Sequence, residues 1–221
     1  MTSKRKGILI LATMDTKGPE AQYLRRKIHE WGQKPLLMDF STKGKRQKSE
    51  ADIPASEVAE AGGTTLKQLA SCRDRDLNME AMVSGAVKIT NHLVRGEKVH
   101  GVLGIGGYSG FLMASEVMRS LPFGFPKILV SSAAAFPGLS NRLIQSSDIV
   151  LFNSVVEIAR LTGLLRNVLD RAALAMVGMV QGAVTEPSTD RTKAIAMTML
   201  SPCEGCARTV RAALEKRDYP V

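Results

Sequence analysis

Several things are scarce in this 221-residue chain, and each scarcity removes a class of protein. There are three cysteines, Cys72, Cys203 and Cys206. An odd, low count in a chain this long does not make a secreted disulfide framework. There are also three histidines, His29, His92 and His100. They are scattered, nothing marks them as more than surface or half-buried residues, and no Ser–His–Asp arrangement is supported. Aromatic residues make up 5% of the chain, little material for a platform on which bases stack. Long apolar runs are missing too. The nearest, Ala172 to Val180, is about half of what a bilayer span needs. The polar, basic stretch Met1 to Lys6 leads only into Ile8 to Ala12, too short for a signal-peptide core. The expectation is a cytoplasmic, reducing location and no membrane partner.

What is present suits a globular protein of one large domain or two small ones, with 44% hydrophobic and 23% charged residues. The formal net charge is +9, which fits an acidic partner or simply a basic surface. Lys43, Lys45, Arg46 and Lys48 fall in a polar run, Ser41 to Asp52, without apolar period. A solvated loop is the plainer reading of that run, and a nucleic-acid patch the sharper one.

Short apolar runs alternate with helical patterns. Gly7 to Ala12, Pro35 to Phe40, Val99 to Leu103, Lys127 to Val130 and Ile149 to Phe152 read as strands. Pro19 to Trp31, Ser56 to Ala61, Thr64 to Ser71, Leu77 to Arg95 and Phe111 to Ser120 read as helices, as does a long stretch from Asn153 or Ser154 to Gln181. Gly182 to Thr192 is polar, holds Pro187 and reads as a linker. Ala194 to Met199 then predicts one more strand, and Cys206 to Lys216 one more helix. Strand-helix alternation predicts a Rossmann-like, three-layer α/β/α fold with a mainly parallel sheet. The domains are read as 1–182, a linker at 183–192, and 193–221 as the start of a second domain.

The chain is organised around Gly101 to Gly110, an apolar strand running into a glycine-rich turn before a helix. Gly104, Gly106, Gly107 and Gly110 lack a Cβ, so backbone N–H groups there can approach an anion at the helix start. Tyr108 and Ser109 lie within the same turn. Ligands of parallel sheets bind at the C-terminal ends of the strands. The turn after the first strand, with Thr13, Asp15, Thr16 and Lys17, and Ser131-Ser132 after the fourth, belong to that edge. Lys17 is placed to meet a phosphate, and Asp15 to hold Mg²⁺ through one carboxylate. Helix capping is the competing reading of Asp15 and Thr16. No Gly-x-x-x-x-Gly-Lys-Ser/Thr is present, and neither the first turn nor the residues after the fourth strand meet the dinucleotide fingerprint. Cys203-Glu204-Gly205-Cys206 is a C-x-x-C at a helix start, a context found in redox sites, or half of a zinc site that has no second pair.

Ile10-Leu11-Ala12-Thr13-Met14-Asp15-Thr16-Lys17-Gly18 resembles a family's opening motif, Gly-Thr-x-Asp-Thr-Lys-Gly. Ala51-Asp52-Ile53, Gly101 to Gly107, Met118 to Pro122, Pro126 to Ser131, Ser147-Asp148-Ile149 and Ser154-Val155-Val156 continue the match in order. Thr198-Met199 with Cys206 is similar to the opening of its second domain. The family is the uncharacterised two-domain family that includes the ATP-binding N-terminal region of a tomato mosaic virus resistance protein. The resemblance implies a Rossmann-like fold, nucleotide binding and self-association as a homodimer. It supplies no reaction. This chain departs from the family pattern at Tyr108 and Phe111, which predicts two rings beside the glycine turn.

Three expectations follow. The first is a nucleotide-binding module, with ATP and Mg²⁺ as cofactors. The second is part of a two-domain enzyme acting on a phosphorylated small molecule. The third is a basic module for RNA or an acidic protein, although nucleic acid is not the expected partner.

Overall fold

Six consecutive buried residues, Gly7–Ala12, form the first strand, β1. A strand with no polar alternation has to be covered on both faces, and this one is. The computed structural model describes residues 5–42, 50–182 and 195–221. The basic run at 43–48 and the linker at 183–192 therefore lie outside the described residues, except that the polar run keeps its ends.

After β1 come α1 (Met14–Glu30), β2 (Lys34–Asp39), α2 (Ala55–Ala61), α3 (Leu66–Ser71) and α4 (Arg75–Arg95). Then follow β3 (Gly101–Gly106), α5 (Tyr108–Arg119), β4 (Lys127–Ser131), a short 3-10 turn (Ser132–Ala135), α6 (Leu139–Ile144), β5 (Val150–Asn153) and α7 (Gly163–Gln181). The five strands pair in parallel, in the order β2-β1-β3-β4-β5. One apolar layer joins Leu9, Leu11 and Val102 to α2, α4 and α5. The other joins Ile8, Ile10, Leu103 and Ile105 to α1 and α7. The fold is thus the three-layer α/β/α arrangement with a parallel sheet. No helix among the described residues is long and apolar enough to cross a membrane.

Gly104 shows why β3 is rich in glycine. A Cβ there would come within 2.9 Å of Ala114 on α5 and 2.8 Å of Leu129 on β4. The glycine lets α5 lie close on the sheet. At the opposite sheet edge Lys127 is 1% exposed and is neutralised by Asp148 at 2.6 Å. Burial alone would raise the Asp148 carboxyl, but the Lys127 ammonium and the Gly124 N–H outweigh it and hold it below the usual carboxylate range.

Three sequence expectations are corrected. The segment 154–162 is not helical. The helix begins at Gly163, where the Thr162 hydroxyl accepts the Leu165 N–H. Residues 195–199 form no strand; a strand needs a neighbour to satisfy its backbone, and Ile195 bonds only to the Pro220 carbonyl there. The first turn is helical from Met14 onward, with Lys17 out of helical geometry (φ −125°, ψ 18°).

The chain divides into two compact units, 1–183 and 184–221. In the second, described from 195, a 3-10 turn (Ser201–Cys203) leads into α8 (Glu204–Glu215).

Candidate functional site

Parallel strands all end on one side, so the ends of β1, β3, β4 and β5 share an edge. From β1 the chain turns into α1 on one face. From β3 it turns into α5 on the other. Neighbouring strands that send their helices to opposite faces leave a crevice between them, the usual ligand position in such sheets. Here that switch point lies between Thr13 and Gly107.

The two helix starts at the crevice differ. In α1 the Met14 N–H donates to Asp39 Oδ1 (3.2 Å) and the Asp15 N–H to Ser41 Oγ (3.3 Å). The Thr16 and Lys17 N–H groups both donate to the Thr13 carbonyl (3.1 and 2.8 Å). All four amides are therefore occupied internally. Asp39 Oδ1 also accepts from the Ser41 N–H and hydroxyl, so the whole turn is locked. The Thr13 and Thr16 hydroxyls bond to each other at 2.8 Å.

In α5 the N-cap is Gly107, which has no side chain to offer. The Phe111 N–H returns to the Gly107 carbonyl (2.8 Å), while the Tyr108, Ser109 and Gly110 amides meet no acceptor among the described residues. Such a bare helix start favours an anion through its N–H groups and dipole. An added Cβ at Gly107 would stand 4.0 Å from the Ser132 hydroxyl and 3.7 Å from a Glu157 carboxylate oxygen. These groups stand at van der Waals distance from the turn.

Beside α5 lies a cavity of about 330 Å³ lined by Thr13, Thr42, Cys72, Arg75, Asn78 and Ser109 with four apolar residues. A second, of about 590 Å³, shares Arg75, Met79 and Ser109 and adds Arg73, Asp74, Asp76, Tyr108 and Leu112. Arg75 makes no ion pair among the described residues, so its guanidinium is available to an anion. Asn78 donates its amide to the Leu69 and Cys72 carbonyls and so fixes the cavity wall.

The expected residues sort into several groups. Thr13 and Ser109 line the cavity, Gly107 and Ser132 border the open turn, and Tyr108 stands at the rim, 54% exposed. Asp15 and Thr16 are exposed at the start of α1. Of the two expected rings, Tyr108 stands exposed at the turn, while Phe111 is fully buried in the core. Gly104 and Gly106 belong to β3, where they let strand and helix pack closely, and Gly110 is buried in the first turn of α5. Ser131 is also buried, and its hydroxyl oxygen accepts the Ala133 N–H (3.0 Å). Lys17 does not line the cavity; it stands near the open turn, beside the Glu157 carboxylate. It donates to the Ile158 carbonyl and lies 3.9 Å from Glu157. No group of three metal-binding side chains occurs among the described residues, so Asp15 stands as a single carboxylate.

Sequence reasoning missed Arg75 and Glu157. A signal for Arg75 existed. A helix that returns to the start of a parallel strand must begin at the C-terminal edge, so the first turn of α4, after the Asp74 cap, belongs beside the site.

Residues 6–185 match the model of the N-terminal domain of UPF0261, an uncharacterised protein family. The chain belongs to the UPF0261 family. A UPF0261 protein of Clostridium tetani is 32% identical over 216 residues, covering 98% of this chain and 52% of the relative. One of Brucella suis is 32% identical over 215 residues, covering 97% and 50%. The ToMV resistance protein Tm-1(GCR237) of Solanum lycopersicum is 29% identical over 233 residues, covering 96% and 30%. The UPF0261 chain thus spans about half the length of the bacterial relatives it matches.

Proposed function

We propose that the 1–183 unit binds a nucleotide, ATP in the first place, at the β1/β3 crevice, and acts as a binding or regulatory module. One observation carries this reading. Of the long helices that begin at this edge, α5 alone has a start that no described residue caps, whereas α1 is closed by Asp39 and Ser41, α4 by Asp74 and α7 by Thr162. The phosphates take the Tyr108, Ser109 and Gly110 amides, the Ser109 and Ser132 hydroxyls and Arg75. Mg²⁺, if carried in with the phosphates, has Asp15 as its nearest sequence-suggested carboxylate and keeps waters for the rest of its shell. The family resemblance, with the ATP-binding tomato region in it, supports the choice of nucleotide and of a homodimer.

The test is calorimetric titration with ATP, with and without Mg²⁺, and NAD as control. Saturable ATP binding is expected. Arg75→Ala should weaken it about tenfold, the loss of one charge-assisted hydrogen bond. No binding, by this chain or by the full-length protein, sinks the reading.

A second reading is favoured by the share of the relatives covered, about half. In it the unit is one part of an enzyme for a phosphorylated small molecule. It expects turnover in the longer protein and binding alone here. A basic module for RNA rests on 43–48, outside the described residues.

A further inference from the structure

The C-x-x-C of the second unit takes no part in the crevice. Cys203 is the N-cap of α8, in non-helical geometry (φ −101°, ψ 7°), and Cys206 follows on the first turn. Both thiols are free and exposed. Cys206 is the third residue of α8, and an N-cap side chain faces that third position across the first turn. Metal–sulfur bonds of about 2.3 Å, the zinc–thiolate value, are long enough for one ion to bridge such a pair.

The surroundings decide which ion. Zinc in structural sites takes four ligands, and no group of three His, Cys, Asp or Glu side chains lies together among the described residues. Hard cations need oxygen ligands, and the carboxylates on this helix face arginines: Glu204 with Arg208 at 3.9 Å, Glu215 with Arg211 at 2.8 Å. What remains is a pair of soft sulfur donors at a helix start, where the dipole favours negative charge. Met197 and Met199, exposed in the segment leading to the pair, add soft thioethers to the same unit. A soft, monovalent d¹⁰ ion is content with two thiolates. We propose that Cys203 and Cys206 form a two-thiolate site for such an ion, copper(I) being the physiological candidate.

The experiment uses the reduced 221-residue chain without oxygen, competing for copper(I) with a chromogenic chelator. The expected result is one copper(I) withdrawn per chain. Cys203→Ser and Cys206→Ser should each lower the affinity at least hundredfold, and Cys72→Ser should leave it unchanged. The two thiols are exposed, so both variants should keep the circular dichroism of the parent. The proposal is overturned if the chain withdraws no copper, or if the double variant C203S/C206S still withdraws one equivalent. It is equally overturned if equimolar zinc displaces the bound copper. A chain that closes a Cys203–Cys206 disulfide and, once re-reduced, still takes up no copper has a redox pair instead.

Discussion

Helices α1 and α5 begin at the ends of adjacent strands, against the same crevice, yet they present opposite chemistry. Four amides of α1 are filled by Thr13, Asp39 and Ser41. Three amides of α5 meet no acceptor among the described residues, and its N-cap is a glycine. Glycine count alone would not separate them, because the glycines of β3 are buried and the one at the crevice, Gly107, stands just beyond the strand. What separates them is whether a side chain from a neighbouring element reaches the helix start. For α1 it does: Asp39 ends β2, the next strand over. For α5 the nearest candidates, Ser132 and Glu157, stand beside the turn without bonding its amides. A closed start makes a rigid corner, and an open start makes a place for a ligand.

The largest expected effect separates the two kinds of glycine. A Cβ at Gly106 would lie 2.7 Å from the Gly110 Cα, backbone against backbone. Gly106→Ala should therefore cost about 2–3 kcal/mol through overpacking, read as a lower urea midpoint. Gly107→Ala meets only the ends of side chains, at 3.7 and 4.0 Å, and has an ordinary φ of −76°. It should stay within about 0.5 kcal/mol of the parent while weakening ATP. Equal losses of stability from both would mean that the turn is one packing unit and no cradle.

The second effect falls on the closed corner. Asp39 is 6% exposed and accepts three hydrogen bonds on one oxygen. Asp39→Ala removes the cap of α1 and leaves Ser41 without its partner, a cost of about 2 kcal/mol. ATP affinity should not fall in this variant if the proposed nucleotide site on α5 is right. A fold-intact variant that no longer binds would place Asp39 in the ligand site and remove the contrast between the two corners.

The layering and the strands were legible in the sequence because buried parallel strands are short apolar runs between helical patterns. The boundaries of the central strand were not. Val102, Leu103 and Ile105 announce it, but Gly104 and Gly106 read as a turn until α5 is seen pressed onto them. The stretch 154–162 carried enough apolar residues to pass for helix. In the fold it is a loop whose Ile158 is buried and held through Lys17, a contact across 141 residues that no local pattern contains. Thr13, Gly107, Ser109 and Ser132, singled out in the sequence, meet at the C-terminal edge of the sheet. Lys17, the cation read from the motif, donates to the Ile158 carbonyl and stands beside Glu157, while Arg75, which lines the cavity, looked like part of a charged turn.

The smallest expected effect concerns the acid at the open corner. Glu157 is 66% exposed in its side chain, and its carboxylate lies near Gly107 and 3.9 Å from the Lys17 ammonium. A carboxylate there repels an incoming phosphate, though water and salt screen it. Glu157→Gln should tighten ATP binding about threefold at low salt (~0.7 kcal/mol) and lose that advantage at high salt. Urea unfolding should change little, since an ion pair this exposed contributes at most about 1 kcal/mol. Weaker binding in Glu157→Gln would reverse the sign. Glu157 would then hold a metal or a ligand hydroxyl rather than oppose the phosphates, and the open corner would extend from α5 across β4 to the end of β5.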